Sequence, residues 1–419
     1  MDNVNKKILV VGSSAAAYAL VKKISSYSGV EKVFVASGAP IFSDIAECVD
    51  IREDNPAELL EFVLENSIDF SVCCSELAIK SDIATVFASG GQLIFAPSKQ
   101  SALSSLSRAA AKKFLYKQRI PTPKFGIFDK QQLAFDYLKN ASFPLIIKCD
   151  ENQFFSDKFA CLNVSDAKIY IEELFLRGEK KVILEDYIYG HDFTFYVITD
   201  GYKVLPIVSS ADYKFASDGD GGLFTSGVGA FAPDYKISAE LENVLLNDVA
   251  VRVVNSLEKN GAPYVGILGF DVVLSDEGGY FVTGYKPFFA NHDADLILSL
   301  IDENIFQLFM DCAVGSFADD YEFIRLNGKS GVSAVISSYS SDEKVIEGLD
   351  AVLDDGADVS FINVRKNEYF EYIAQKGNAF VITRTASTLS TARNLLYEDI
   401  DAVAFSGKKY RKDICQPVK

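Results

Sequence analysis

Charged side chains stand at the ends of two apolar runs that have the length of buried strands. Pro144-Leu-Ile-Ile-Lys148 ends in a lysine, and Val182-Ile-Leu-Glu185 ends in a glutamate. A lysine at a strand end can reach a phosphate group of a bound ligand, because ligands bind at the ends of strands. The glycine-rich run Asp218–Gly229 predicts either a flexible loop or one that wraps a ligand, since glycines let backbone amides approach an anion.

The segment before these strands alternates short β-branched runs with helical patterns. Ser13 or Ser14 could cap a helix that runs through Lys23, and Pro56–Glu65 has a helical pattern. This alternation predicts an α/β domain over residues 1–104 with a parallel sheet, whose ligands bind beyond the carboxyl ends of the strands. The predicted strands are Ile8–Val11, Val33–Ala36, Asp69–Cys74 and Leu93–Ala96.

Two further domains are predicted after residue 104. The first, over residues 105–325, contains a lid subdomain at about 121–190 that begins with the stiff connector Ile120-Pro-Thr-Pro123. The second is a small α+β domain over residues 326–419, after the linker Leu326–Gly331. Helices are predicted at Ser105–Gln118, Ala239–Lys259 and Leu296–Val314, and hairpins at Phe193–Val208 and Gly269–Val282.

The composition excludes several classes of protein. The 41 basic and 58 acidic residues give a net charge of −17, so nucleic acid and anionic membrane surfaces are poor partners for the chain. His191 and His292 lack ligand companions at metal-binding spacing, which disfavours a zinc site or a Ser-His-Asp hydrolase. The seven cysteines form no CxxC pair, and we expect reduced thiols in a cytoplasmic protein without a membrane span.

The order of these elements resembles the ATP-grasp superfamily and, within it, the phosphoribosylamine–glycine ligase family. The matching motifs include Ile120-Pro-Thr122, Ile146-Ile-Lys148, Ile183-Leu-Glu185, Asp220 to Ala230 and Arg411-Lys-Asp-Ile414. The resemblance implies an ATP-grasp fold and ATP-dependent amide formation between glycine and 5-phosphoribosylamine in de novo purine biosynthesis. It also implies ATP and Mg²⁺ as cofactors, because polyanions held close together need cations around them.

The resemblance assigns roles to particular residues. Lys112 and Lys148 match the two lysines that contact ATP, Glu185 the acid on the adenine side, and Asp192 a ribose-binding acid that is glutamate in the family. Asp271 stands where many ATP-grasp enzymes place a metal-binding acid. The residues that match substrate-binding positions are Glu76, Asp220, Gly222, Thr225, Gly227 and Gly229.

Three motifs depart from the family pattern. The turn Gly12-Ser-Ser-Ala-Ala-Ala-Tyr18 lacks the Arg-Glu-His stretch that cradles the sugar phosphate, and Asp150–Asp157 replaces a glycine-rich loop that carries a lysine. Thr283 and Tyr285 stand where the family has the Glu and Asn that hold Mg²⁺, and a hard divalent ion prefers charged oxygen ligands. One lost charge-stabilising group costs about a hundredfold in rate, so three roughly additive losses cost about a millionfold.

These departures leave three hypotheses. A ligase with substituted residues would rely on Asp271, Lys286 and Lys158 to compensate for the lost charges. A ligase-fold protein that has lost its activity would bind a small metabolite or nucleotide, and would pair with a paralogous ligase or with itself. We favour this second hypothesis. A third is an ATP-grasp ligase for another carboxylate and amine, suggested by Asp271 and Pro287.

Overall fold

The computed structural model describes residues 5–150, 158–317 and 321–416. Its N-terminal strands are β1 (Lys6–Val11), β2 (Val30–Ala36), β3 (Glu47–Val49), β4 (Phe70–Cys73) and β5 (Ile94–Phe95). They form a parallel sheet in the order β3-β2-β1-β4-β5. The predicted parallel sheet is confirmed, and the short strand β3 is an addition to the four that the sequence indicated.

Helices cover the faces of this sheet, and the turn after β1 begins the first of them. Gly12 has φ +148° and lies against Cys74, so a side chain there would meet the Cys74 Cβ at 3.2 Å. The Ser14 hydroxyl accepts a hydrogen bond from the Ala17 amide at 3.2 Å and caps α1, as predicted. The helices are α1 (Ala15–Ser25), α2 (Pro56–Glu65), α3 (Glu76–Lys80), α4 (Ile83–Ser89) and α5 (Lys99–Leu106).

The lid is a separate four-stranded sheet within the predicted range 121–190. Helix α6 (Arg108–Lys117) leads into it, and α7 (Gln131–Leu138) and α8 (Val164–Leu176) pack on it. Its strands are β6 (Phe125–Phe128), β7 (Leu145–Cys149), β8 (Lys158–Cys161) and β9 (Val182–Asp186). Their order is β6-β9-β7-β8 and all neighbours are antiparallel.

A large sheet forms the base of the molecule opposite the lid. The strands that it takes from the middle of the chain are β10 (Gly190–Asp200), β11 (Val204–Asp212), β14 (Gly229–Ala232), β15 (Val265–Ser275) and β16 (Tyr280–Lys286). Strands β12 (Phe215–Ser217) and β13 (Gly221–Phe224) form a small separate hairpin. Both predicted hairpins are confirmed, since β10 pairs with β11 and β15 with β16. The alternating apolar residues of β10 are buried and pack in the core.

The large sheet continues into the C-terminal region without a break. Strand β17 (Ser330–Ser338) pairs with β14 across the predicted boundary at residue 326. The other strands of this region are β18 (Lys344–Val345), β19 (Asp358–Phe361), β20 (Val364–Lys366), β21 (Tyr372–Ala374), β22 (Gly377–Ala386) and β23 (Lys408–Lys409). The domain boundaries therefore stay predictions, because hydrogen-bonded strands link the last two regions.

Three predicted helices are interrupted. The first is split at Ser107, whose hydroxyl caps α6. The second contains a π-helical turn, Leu245–Ala250, and the third breaks after residue 300. The remaining helices are α9 (Ala239–Val244), α10 (Val251–Lys259), α11 (Ala294–Leu300), α12 (Ile305–Val314), α13 (Leu349–Asp354) and α14 (Leu389–Ala402). None of the helices in the described ranges has the length and apolar character needed to cross a bilayer.

Candidate active-site cleft

A cleft of about 570 Å³ lies between the N-terminal sheet, the lid and the large sheet. It opens at the carboxyl ends of β1 and β4, where a parallel sheet is expected to bind ligands. Five of the residues that the resemblance assigns to nucleotide, substrate or metal binding line it, namely Glu76, Lys112, Lys148, Gly227 and Asp271. Basic and acidic side chains therefore face one another across this cleft.

The end of the cleft beside the lid contains a buried cluster of two lysines and one glutamate. Glu185 is 3% exposed and forms ion pairs with Lys148 and with Lys112, the latter at 2.6 Å. Lys112 also donates to the Thr122 hydroxyl at 2.8 Å, and Lys148 donates to the Thr283 carbonyl oxygen at 3.3 Å. The structure thus brings together three of the four residues predicted to bind the nucleotide.

The lid and the helix before it position this cluster. In the antiparallel register of β7 and β9, Ile146 pairs with Glu185 and Lys148 pairs with Ile183. Lys148 and Glu185 are therefore offset by two residues and lie on the same face of the sheet. Helix α6 presents Lys112 from the other side, and it begins at Ser107, which also donates to Asp150 at 2.7 Å.

The electrostatics of the cluster leave one surplus positive charge. Burial would raise the pKa of Glu185, but the two ammonium groups hold it down to about 2. The pKa of Lys148 is lowered to about 8, chiefly by burial and further by the positive charges of Lys112 and Arg108. The Glu185 carboxylate offsets only part of this lowering. One carboxylate does not neutralise two buried ammonium groups, so this end of the cleft favours an anion.

Asp192, the predicted ribose acid, lies against a lysine that sequence reasoning did not single out. Lys214 is 6% exposed and its ammonium group lies 2.8 Å from the Asp192 carboxylate. Burial would lower the pKa of Lys214, but the carboxylates of Asp192, Asp271 and Asp212 raise it. Lys214 lines the cleft, whereas Asp192 does not, so the lysine is the residue of this pair that can meet a ligand.

The predicted metal acid, Asp271, is engaged by a lysine from the neighbouring strand. Its carboxylate lies 2.9 Å from the Lys286 ammonium group and 3.3 Å from the Thr194 hydroxyl, which donates to it. Burial would raise the pKa of Asp271, but Lys286, Lys214 and Lys158 hold it well below its usual value. A cation therefore already faces this carboxylate.

The donor set on this hairpin does not fit Mg²⁺. The Thr283 hydroxyl contacts the Asp271 carbonyl oxygen at 3.4 Å, and Tyr285 is only 6% exposed. Mg²⁺ prefers carboxylate and other oxygen ligands in octahedral geometry, and here the Asp271 carboxylate is paired with an ammonium group. The residues present do not reproduce the Glu and Asn pair implied by the resemblance.

The glycine-rich segment contributes Ser226 and Gly227 to the cleft and supports it with other residues. Gly227 has φ +129°, and a Cβ there would lie 2.0 Å from the His292 ring. Thr225 fixes the turn, because its hydroxyl donates to the Lys214 carbonyl oxygen at 2.8 Å and accepts from the Gly227 amide at 3.1 Å. The structure places the predicted loop partly in the hairpin of β12 and β13.

Three residues predicted to bind substrate have other contacts. Asp220 pairs with Arg411 at 2.7 Å and does not line the cleft. Gly222 has φ +78° and lies against Ser217, whereas Gly229 lies in β14, where a Cβ would meet Ile414 at 2.3 Å. The need for glycine at these positions is therefore explained by turn geometry and close packing within the protein.

The N-terminal wall of the cleft carries acids and serines. Glu53 accepts hydrogen bonds from the hydroxyls of Ser75 and Ser13, the latter at 2.6 Å. Glu76 begins α3 and is 40% exposed at its side chain, 3.9 Å from Lys80. At the start of α1, the Asn291 side-chain oxygen accepts a hydrogen bond from the Ala16 amide at 3.1 Å. This wall was predicted to have lost its cation, but Glu53 and Asn291 were not identified from the sequence.

His292 belongs to a buried cluster that the sequence spacing did not indicate. Its Nε2 lies 2.6 Å from Asp212, which is 80 residues away in sequence, and 3.5 Å from Asp293. Asp293 accepts hydrogen bonds from Tyr196 at 2.8 Å and Ser210 at 2.6 Å. Burial would lower the pKa of His292, but the carboxylates of Asp293 and Asp212 raise it. Sequence spacing gave His292 no carboxylate companions at metal-binding intervals, and the structure shows it as a hydrogen-bonded histidine beside two aspartates.

The loop Asp150–Asp157 lies outside the described residues after its first position. Asp150 itself is 4% exposed and lines the cleft, where it accepts a hydrogen bond from the Ala109 amide at 2.9 Å. Lys158, the first residue after the gap, also lines the cleft and begins β8.

The two-layer clasp of lid and large sheet over a cleft, preceded by a parallel sheet, defines an ATP-grasp protein. Family models for the N domain and the ATP-grasp (A) domain of phosphoribosylglycinamide synthetase match residues 6–103 and 106–293. The chain belongs to the phosphoribosylamine–glycine ligase family. The fold expected from the resemblance is thereby confirmed.

Relatives match along nearly the whole chain. The phosphoribosylamine–glycine ligase of Caldanaerobacter subterraneus is 30% identical over 423 residues, which cover 97% of this chain and 99% of that protein. The one of Lactococcus lactis is 28% identical over 409 residues, with coverage of 97% and 98%. The crystal structure of the Thermotoga maritima phosphoribosylamine–glycine ligase superposes with a TM-score of 0.81 at 20% identity, covering 98% of this chain and all of that one.

Proposed function

We propose that this member of the family binds a nucleotide in the cleft and that its ligation of glycine to phosphoribosylamine is strongly reduced or lost. The buried cluster of Lys112, Glu185 and Lys148 supports nucleotide binding. Its surplus positive charge is buried, and an uncompensated buried charge is unfavourable until an anion approaches. A phosphate group is the anion that the family resemblance suggests.

The residues of the N-terminal wall give the main support for the proposed loss of ligation. Among the described residues before 105 that line the cleft none is basic, and Glu53 adds a carboxylate to that of Glu76, the acid that matches a family substrate position. A sugar phosphate would have to approach these carboxylates, and like charges close together are unfavourable. The Ala16 amide at the start of α1 is already bonded to Asn291, so this helix start offers the phosphate fewer free amides than an unoccupied helix N-terminus would.

On the hairpin of β15 and β16, a second set of charge-stabilising groups is missing. Thr283 and Tyr285 replace the acid and amide that the resemblance implies for metal binding, and Lys286 occupies the remaining carboxylate. Each missing charge-stabilising group costs about 3 kcal/mol in a transition state, or about a hundredfold in rate. Two independent losses therefore reduce the rate by about ten-thousandfold if they add.

A steady-state assay with Mg²⁺, ATP, glycine and phosphoribosylamine tests this proposal. We expect product formation no higher than that of a Lys148→Ala variant, which lacks one of the two buried ammonium groups. An active ligase of the same family assayed in parallel shows that the labile amine substrate was present. Turnover by this chain at rates near those of the active ligase would refute the proposal.

The same acidic wall favours one further candidate, a ligase for another carboxylate and amine. Carboxylates beside serine hydroxyls suit a primary ammonium group without a phosphate. ATP hydrolysis that depends on such an acid and amine, but not on glycine, would support this second function over the first.

A further inference from the structure

Lys286 occupies the position in the cleft where a metal-dependent relative would need a divalent cation. Its ammonium group lies 2.9 Å from the Asp271 carboxylate, 3.3 Å from the Thr194 hydroxyl and 5.8 Å from the centre of the Tyr196 ring. The side chain keeps 22% of its surface exposed and lines the cleft. Lys286 thus combines a fixed position with access to a ligand.

The same strand connects Lys286 to the end of the cleft beside the lid. Lys148 donates to the carbonyl oxygen of Thr283, three residues before Lys286 on β16. Lys158 and Lys214 line the cleft as well, and both act on the Asp271 carboxylate. A phosphate chain that reaches from Lys148 along β16 therefore meets ammonium groups from the lid and from the large sheet.

Charge decides which ion this site accepts. A divalent cation at Asp271 would lie close to Lys286 and would have to displace it, because like charges at that distance repel strongly in a partly buried site. An anion, in contrast, is attracted by Lys286 and does not have to displace it, although the Asp271 carboxylate offsets part of this attraction. An ammonium group has three donors, of which Asp271 and Thr194 use two in this arrangement.

We propose that Lys286 takes the place of the divalent cation, so that the cleft binds the phosphate groups of a nucleotide through ammonium groups and without metal. This inference rests on the proposed nucleotide binding and specifies how the phosphate is held.

Calorimetric titration with ADP, in EDTA and in excess Mg²⁺, tests the inference. We expect the affinity in EDTA to equal or exceed that in Mg²⁺, because Mg²⁺ bound to ADP cancels charge that the lysines would otherwise meet. Lys286→Met should weaken binding in EDTA about tenfold or more, whereas Lys286→Arg should retain most of it. Lys139→Met is the matched control, since Lys139 is an exposed lid lysine at 71% and should leave the affinity unchanged.

A second variant should change the affinity for ADP in the opposite direction. Asp271→Asn removes the partner of Lys286 and should tighten ADP binding in EDTA several-fold, with folding checked by circular dichroism. Binding that weakens tenfold or more when Mg²⁺ is removed would overturn the metal-free site while leaving the proposed nucleotide binding intact. Absence of ADP binding in both conditions would overturn the proposed nucleotide binding and this inference with it.

Discussion

Binding of a nucleotide should draw a proton from solution, because the cleft holds a lysine that is only half protonated at pH 8. The pKa of Lys148 is lowered to about 8, chiefly by burial and further by Lys112 and Arg108. A phosphate group beside Lys148 adds negative charge and moves its pKa back up to or above the ordinary value near 10.4. The free protein then takes up about 0.1 proton per ligand at pH 7, about 0.5 at pH 8 and about 0.9 at pH 9.

The direction of the pH dependence follows from the protonation of Lys148 in the free protein and in the complex. Ligand-free Lys148 is mostly neutral above pH 8 and the bound residue stays protonated, so the complex holds more protons and affinity falls as pH rises. Above pH 8 the loss approaches tenfold per pH unit, which is about 1.4 kcal/mol. ADP and ATP are fully ionised over this range, so their own titration contributes little.

Titration calorimetry in two buffers of different ionisation enthalpy measures this uptake directly. Lys148→Met should abolish the pH-dependent uptake, and Lys139→Met should leave it unchanged, since Lys139 is exposed and paired with Asp136. Zero uptake at pH 8, or the same uptake in Lys148→Met as in the unmodified chain, would refute the reasoning.

Three further predictions concern stability and selectivity. Glu185→Gln leaves two buried ammonium groups without their partner and should lower the free energy of unfolding by about 3–5 kcal/mol in urea titrations, whereas Glu173→Gln, at a side chain 39% exposed, should cost less than about 1 kcal/mol. Because the pKa of Glu185 falls from 4.5 to about 2 on folding, its contribution is complete above pH 4.5 and disappears as pH falls towards 2, and the Gln variant should lack this acid dependence. Gly227→Ala should destabilise the protein by about 1–3 kcal/mol, since its Cβ would lie 2.0 Å from the His292 ring, while Gly221→Ala in the same loop meets its nearest neighbour at 3.5 Å and should be tolerated; equal losses would count against the close contact. Ribose 5-phosphate should give a smaller thermal shift than ADP at equal concentration, because Glu53 lies on the N-terminal wall that would hold the sugar phosphate, and an equal shift would contradict that assignment.

Local sequence patterns predicted the elements that carry the site. Short apolar runs and caps identified β1, β4 and α1, and the apolar strands ending in Lys148 and Glu185 were found together with their charged ends. Hydrophobic periodicity and turn residues are local signals, so they mark elements well. The break at Ser107 between two helices was missed, because a serine is compatible with both a cap and a helix interior.

Contacts between distant segments could not be predicted in the same way. The Asn291 side chain reaches the start of α1 over 275 residues, and His292 meets Asp212 over 80. No local pattern singled out Lys214, and its burial against Asp192 follows only from the packing of β10 beside the loop after β11. Such pairings depend on strand register and sheet order, which a single sequence does not specify.

The continuity of the large sheet could not be predicted from the sequence for a similar reason. The linker composition of Leu326–Gly331 indicated a boundary, yet β17 begins at Ser330 and pairs with β14. Gly331 lies where its Cβ would meet Leu296 at 2.5 Å, so this glycine serves close packing between regions instead of flexibility. Glycine has both uses, and only the tertiary structure distinguishes them.

A crystal structure of the chain with ADP and excess Mn²⁺ tests the central claim most directly, because Mn²⁺ can be located by its anomalous scattering. The account predicts ADP in the cleft with the Lys286 ammonium group within hydrogen-bond distance of a phosphate oxygen, and no Mn²⁺ peak beside Asp271. A Mn²⁺ ion bound to Asp271, with Lys286 displaced from that carboxylate, would contradict it.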